Sequence, residues 1–165
     1  MYTHILLAVD IDEPASWRDA LPVAERLARC FEGRITICSV VSDAEAIASG
    51  ETLPIAYQER LFAARSSLDS LTARVGPGIE VEVEVGTGTI CGGIVDIADR
   101  IDADLIVLAS HHPSLRDYLL AAHAARVARR ATCSVLVVRD RMVRPDGATI
   151  GSGGAGEPGH SATSV

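Results

Sequence analysis

Residues 79–85 read Ile79-Glu80-Val81-Glu82-Val83-Glu84-Val85, an unbroken apolar–acidic alternation that gives a strand one buried and one wet face. Four other short apolar runs lack the alternation: Ile5 to Val9, Ile35 to Val41, Leu105 to Ala109 and Val135 to Val138. Runs of that length, rich in Ile, Val and Leu, fit strands of a parallel sheet covered on both faces. The contrast puts the alternating strand at an edge. Between the runs lie helical stripes: Leu21, Ala24, Leu27, Ala28 and Phe31 within Ser16 to Phe31, stopped by Gly33, and Leu61, Ala64, Leu68, Leu71 and Val75 before Gly76-Pro77-Gly78. Ile94 to Ile101 and Leu119 to Ala131 supply two more. Alternation of this kind predicts an α/β fold, a doubly wound five-stranded parallel sheet with right-handed crossovers and strand order 3-2-1-4-5.

The chain has 165 residues, 48% of them hydrophobic, and a formal charge of -7. That length fits one domain with a sizeable core. The charge opposes sequence-independent nucleic-acid binding, which rests on phosphate neutralisation. No run of eighteen apolar residues predicts a membrane span, and Met1-Tyr2-Thr3-His4 runs into a strand without a basic leader. No lysine occurs, which removes phosphate-loop, Schiff-base and kinase lysines together. Cys30, Cys38, Cys91 and Cys133 show no C-x-x-C spacing, as expected of a reduced, cytoplasmic protein. From 141 to 165 Gly, Ser and Pro dominate. Such a segment cannot bury enough apolar area to offset its ordering entropy, so the domain is expected over 1–140 with a disordered, dispensable tail.

In open α/β sheets ligands bind beyond the carboxyl ends of the strands. The exits to inspect are Asp10-Ile11-Asp12-Glu13, Ser39-Val40-Val41-Ser42, and Ala109-Ser110-His111-His112-Pro113-Ser114. Gly86-Thr87-Gly88-Thr89-Ile90-Cys91-Gly92-Gly93 also follows a strand and precedes a helix, but its spacing is not G-x-G-x-x-G and its strand is the edge one.

The opening M-Y-T-H-I-L-L-A-V-D, the stretch L-I-V-L-A-S-H-H-P-S-L-R-D-Y-L-L-A-A-H-A-A-R-V-A-R-R and the closing A-T-C-S-V-L-V-V-R together resemble the universal stress protein family over Met1 to Arg139. The Ser-His-x-Pro turn is similar to that of a short, single-domain subgroup. The resemblance implies the adenine nucleotide alpha hydrolase-like fold, pairing through the last strand, and ATP or AMP held by G-x-x-G followed about nine residues later by Gly-Ser/Thr. Glycines there admit backbone amides to the phosphates beside a helix start. In this chain Ala109 and His112 stand at the first two glycines and Ala121-Ala122 at the Gly-Ser. Pro113 pushes His112 to extended backbone, Ala121 adds a methyl, and Ala122 removes a hydroxyl. The expectation is therefore a degenerate phosphate cradle and weak adenine-nucleotide binding.

Candidate contacts are Asp10, which matches the family's strand-one aspartate, Val40, the turn donors Ser110, His111, His112 and Ser114, Arg116, and the Ala109, Ala121 and Ala122 positions. Each also has a plainer use: Asp10 closing a turn, Asp12 and Glu13 meeting a helix N-terminus, His123 exposed or at a subunit contact. The paired histidines lack a third ligand at metal spacing. No catalytic residue or metal site is expected. The functional expectation is a non-enzymatic stress-response regulator, dimeric through Ser134 to Arg139, because an exposed apolar edge invites pairing. The alternatives are an ATP-binding or hydrolysing enzyme of the same fold and a regulatory partner of a membrane transporter.

Overall fold

The computed structural model describes residues 1–42, 54–110 and 117–139, with backbone alone at 54–56, 110 and 117–122. The long connection after the second strand, most of the Ser-His-x-Pro turn and the 141–165 tail lie outside the described residues. Five strands, β1 (His4–Ala8), β2 (Arg34–Ser42), β3 (Val81–Gly88), β4 (Leu105–Ser110) and β5 (Ser134–Arg139), form one parallel sheet in the order β3-β2-β1-β4-β5. This is the expected order, with the alternating strand at an edge. The helices are α1 (Ala15–Arg18), α2 (Ala20–Phe31), α3 (Pro54–Thr72), α4 (Ile90–Arg100) and α5 (Asp117–Arg130).

Successive strand residues feed two cores. Ile5, Leu7, Ile35, Ile37 and Val107 pack with Leu21, Ala24, Leu68 and Leu71 of α2 and α3. Leu6, Ala8, Cys38, Ile106 and Leu108 pack with α4 and with Ala124 and Val127 of α5. Both faces of the inner strands are thus apolar because both are covered.

Two details depart from the sequence reading. The stretch read as one helix from Ser16 breaks between Arg18 and Ala20, since Pro22 has no N–H to offer the Arg18 carbonyl and its ring crowds that oxygen. The left-handed residue that ends α2 is Glu32, at φ 53°, not Gly33. Gly33 serves a different need: a Cβ there would lie 2.8 Å from the Tyr2 carbonyl oxygen and 2.9 Å from that of Thr3. Only glycine lets the chain enter β2 so close to the start of β1.

One polar side chain lies within β1. His4 is buried, with Nε2 2.9 Å from Thr36 Oγ1 and Nδ1 accepting from an Arg34 guanidinium N–H at 3.0 Å. An acceptor at Nδ1 fixes the neutral ring with its proton on Nε2, donated to Thr36. Burial, and then the Arg34 charge, hold the His4 pKa below its ordinary 6.5. The unfolded chain therefore takes up this proton first as pH falls. The stabilising contribution of neutral His4 is complete above 6.5 and is lost as pH drops from there through the lower folded value. Thermal melts of the parent and of His4→Gln between pH 8 and pH 5 should show a shallower acid decline in the variant, which keeps a donor for Thr36 without a titrating ring. Parallel declines would show that His4 carries none of the linkage.

Candidate functional site

Beyond the carboxyl ends of β1, β2 and β4 lies a cleft of about 320 Å³. Strand order reverses here, since β1 is flanked by β2 on one side and β4 on the other, the place where open α/β sheets form a ligand crevice. Asp10 and Asp12 stand at its rim, Val40, Ile90, Ile94 and Ala109 form apolar walls, and Arg60 and Ser67 of α3 line one side. Of the candidate contacts, the structure brings together Asp10, Val40 and Ala109.

The rim is a tightly closed turn. Ser16 Oγ accepts from the Asp10 N–H at 2.9 Å and donates to the Asp10 carbonyl at 2.8 Å, and Glu13 N–H donates to the same carbonyl at 3.2 Å. The Asp10 carboxylate accepts the Asp12 N–H at 3.0 Å. Asp10 thus performs the plainer task of closing a turn, and its second oxygen has no partner among the described residues, so the exposed carboxylate still offers an acceptor. Glu13 accepts from Ala15 N–H at 3.2 Å, meeting the start of α1 as the sequence suggested.

The wall at Val40 explains the glycine-rich stretch. A Cβ on Gly93 would meet Val40 Cγ1 at 2.8 Å and Cγ2 at 2.9 Å, and one on Gly86 would meet Val40 Cγ2 at 3.1 Å and Ile97 Cδ1 at 3.0 Å. These glycines let α4 lie against β2. Thr89 caps α4 by accepting the Gly92 N–H at 3.2 Å, so the helix begins four residues before the apolar stripe suggested. Residues 86–88 belong to β3, paired with Val40, Val41 and Ser42. Gly86 and Gly93 thus serve packing, while Gly88 takes a positive φ of 91° at the end of β3.

Several lining residues were not legible as such. Arg60 and Ser67 come from α3 and Cys38 from β2, where burial with the nearby Glu84 charge pushes the thiol up to about 12, which leaves it protonated and unreactive at neutral pH. His123 corrects an expectation: it is half-buried and lines the cleft. Its carbonyl accepts the Cys91 thiol at 3.7 Å, and its ring Nδ1 is buried with no hydrogen-bond partner among the described residues. Apolar neighbours Ala124 and Val127 seat α5 on the sheet, and they carry His123 inward with them.

Among the remaining candidates, Ser110 closes β4 in register with Arg139, and its side chain is not described. His111, His112, Ser114 and Arg116 lie outside the described residues. Ala121 and Ala122 fall within α5, which starts at Asp117. They therefore sit in the second turn, not at a helix start as the motif required. Among the described residues no three His, Cys, Asp or Glu side chains stand close enough to hold a metal ion, and no helix is long and apolar enough to cross a membrane.

The family model described as "Universal stress protein family" matches residues 1–139. The chain belongs to the universal stress protein family. It is 28% identical to universal stress protein G of Salmonella typhimurium over 144 residues, 84% of this chain and all of that one. Against universal stress protein A homolog 1 of Coxiella burnetii it is 28% identical, covering 83% of this chain and 96% of the other. Among solved structures, UspA of Lactobacillus plantarum superimposes with a TM-score of 0.64 at 24% identity, covering 84% of this chain and 98% of that one. A universal stress protein in complex with cAMP superimposes with a TM-score of 0.58 at 22% identity, covering 84% and 97%. The likeness to these structures is one of fold.

The Val40–Gly93 contact of this universal stress protein can be tested by overpacking. Gly93→Ala should cost about 1–3 kcal/mol of unfolding free energy in denaturant titration. In a Val40→Ala background the same change should cost clearly less, because the clashing methyls are gone. Equal costs in the two backgrounds would place the strain elsewhere.

Proposed function

We propose that this chain is a dimeric, non-enzymatic stress-response regulator of the cytoplasm whose cleft takes ATP or AMP weakly, through the nucleoside more than the phosphates. The observation that carries the reading is the cleft itself: a crevice at the sheet's switch point, walled by Val40, Ile90, Ile94 and Ala109, with the Asp10 carboxylate at its rim. Its volume, about 320 Å³, is at the small end of ligand pockets, which run from roughly 300 to 1,000 Å³. Apolar walls suit a planar base, and an exposed carboxylate suits ribose hydroxyls. A family neighbour of the same fold is a complex with cAMP, which supports an adenine nucleotide as the ligand class.

Weakness follows from the phosphate side. With Ala121 inside α5, its N–H is committed to the helix ladder and is not offered to a phosphate. A non-enzymatic role is supported by the protonated Cys38 thiol and by the lack of lysine. Free thiols at Cys30, Cys38, Cys91 and Cys133 support a reducing compartment. Both binding and pairing are assigned to residues 1–140, with the 141–165 tail taking no part.

Dimerisation is supported by β5. It pairs with β4 on one side only, and Val135, Leu136, Val137 and Val138 are half-buried. An apolar edge with one row of open backbone groups is stabilised by a partner strand.

Two measurements test the proposal. Calorimetry should find that ATP binds the parent weakly, that Asp10→Ala weakens it further, and that His112→Gly with Ala121→Gly and Ala122→Ser tightens it by about tenfold or more, since one recovered hydrogen bond alone is worth about 0.5–1.5 kcal/mol. Micromolar ATP binding by the parent would refute the degenerate cradle. Sedimentation of the parent at tens of micromolar should give a dimer, and a monomer there rejects the β5 interface.

A further inference from the structure

The cleft contains one polar atom whose state is unexplained by folding alone. His123 Nδ1 is buried and has no hydrogen-bond partner among the described residues. Leaving such a nitrogen unpaired costs the folded protein stability, so native structures seldom keep one without a use. The ring lines the same cleft as Asp10, Val40 and Ala109. It stands one turn before Val127, in the stretch of α5 that packs on the sheet, so its position is fixed by the core.

We propose that His123 is the residue by which the cleft reads its ligand: Nδ1 accepts a hydrogen from a hydroxyl or amine of a nucleoside, so that binding satisfies a nitrogen the empty protein leaves unpaired. The inference rests on the nucleotide reading of the cleft and names the residue that gives it specificity. The alternative, an imidazolium gripping a phosphate, is disfavoured by the surroundings. Burial, and then the charge of Arg126 on the same helix, hold the His123 pKa below its ordinary 6.5. The other charged or titratable groups of the cleft are Asp10 and Asp12 at the β1 exit, Arg60 on α3 and Cys38 on β2, with the Cys91 thiol of α4 directed at the His123 carbonyl. A neutral ring with an open lone pair accepts from neutral donors. Once protonated, it presents N–H to N–H or O–H and the contact is lost.

Adenosine is the suitable probe, because it has no phosphate and no group that titrates between pH 5.5 and 8. Calorimetry on the full chain should show adenosine binding the parent more tightly at pH 8 than at pH 5.5, by at most about tenfold because the ring titrates below 6.5. His123→Val should bind about threefold to tenfold more weakly than the parent at pH 8 and show no such difference between the two pH values. Any pH effect of His111 and His112 is common to both proteins and drops out of the comparison. Without ligand, His123→Val should melt at least as high as the parent, because an unpaired buried polar atom is gone; a purely structural histidine would give a lower melting temperature. His123→Asn, which offers a non-titrating partner in the same place, should recover affinity without pH dependence. Equal adenosine affinity in the parent and His123→Val at pH 8, or tighter binding at pH 5.5, overturns the role of His123 and leaves the nucleotide reading standing. Failure of adenosine to bind the parent at either pH overturns both.

Discussion

Strand β1 is buried along its whole length, from His4 to Ala8, and lies between β2 and β4. A strand covered on both faces cannot be shielded by helices from one side, so the crossovers must distribute themselves, α2 and α3 over one face and α4 and α5 over the other. Ile5, Leu6 and Leu7 are fully buried, and each contributes about 1.5–3 kcal/mol of transfer free energy. The ends of β1 inherit this constraint. At the amino end the Asp104 carboxylate accepts the Thr3 N–H at 2.8 Å and hydroxyl at 3.0 Å, tying the chain start to β4. At the carboxyl end the chain must turn away at once, and the Asp10–Ser16 exchange of hydrogen bonds makes that turn and opens the crevice.

The cleft's shape is a consequence of how closely α4 approaches β2. Had residues 86 and 93 carried side chains, the helix would stand further from Val40, and the wall that Val40, Ile90 and Ile94 make together would open. A glycine-rich turn between a strand and a helix is read most readily as a phosphate loop. Here the atoms nearest the absent Cβ positions are valine and isoleucine methyls, which makes close packing of two elements the physical cause.

The fold was legible because its signal is redundant. Four apolar runs, one alternating run and the helical stripes between them agree on a single parallel sheet, and the edge position of β3 follows from Glu82 and Glu84 facing away from the core. The site was legible only where it coincides with strand exits, at Asp10, Val40 and Ala109. Arg60 and Ser67 were not, since whether a polar residue of a helix faces a crevice or solvent depends on helix rotation, which composition does not encode. His123 was misjudged for that reason. Helical spacing alone placed it on an outer face, whereas the small residues around it let α5 settle deep enough to bring it in. The break at Asp19 is written in Pro22, whose missing N–H interrupts the helix that a strong apolar stripe otherwise suggests.

The two sides of the cleft carry different kinds of chemistry. Its walls are largely apolar, with Ser16 committed to the fold and Cys38 kept protonated by burial, while the Asp10 carboxylate and His123 Nδ1 keep acceptors open among the described residues. Such a surface discriminates by shape and by a few hydrogen bonds. On the α5 side, the positions where the family pattern calls for Gly-Ser are occupied by residues that continue a helix. A helix that begins earlier has its early amides committed internally by the time the chain reaches 121, so the anion-binding potential of its N-terminus is displaced toward Asp117, whose negative charge opposes an incoming phosphate. A phosphate held at the start of α5 would therefore stand a turn away from where the family pattern places it.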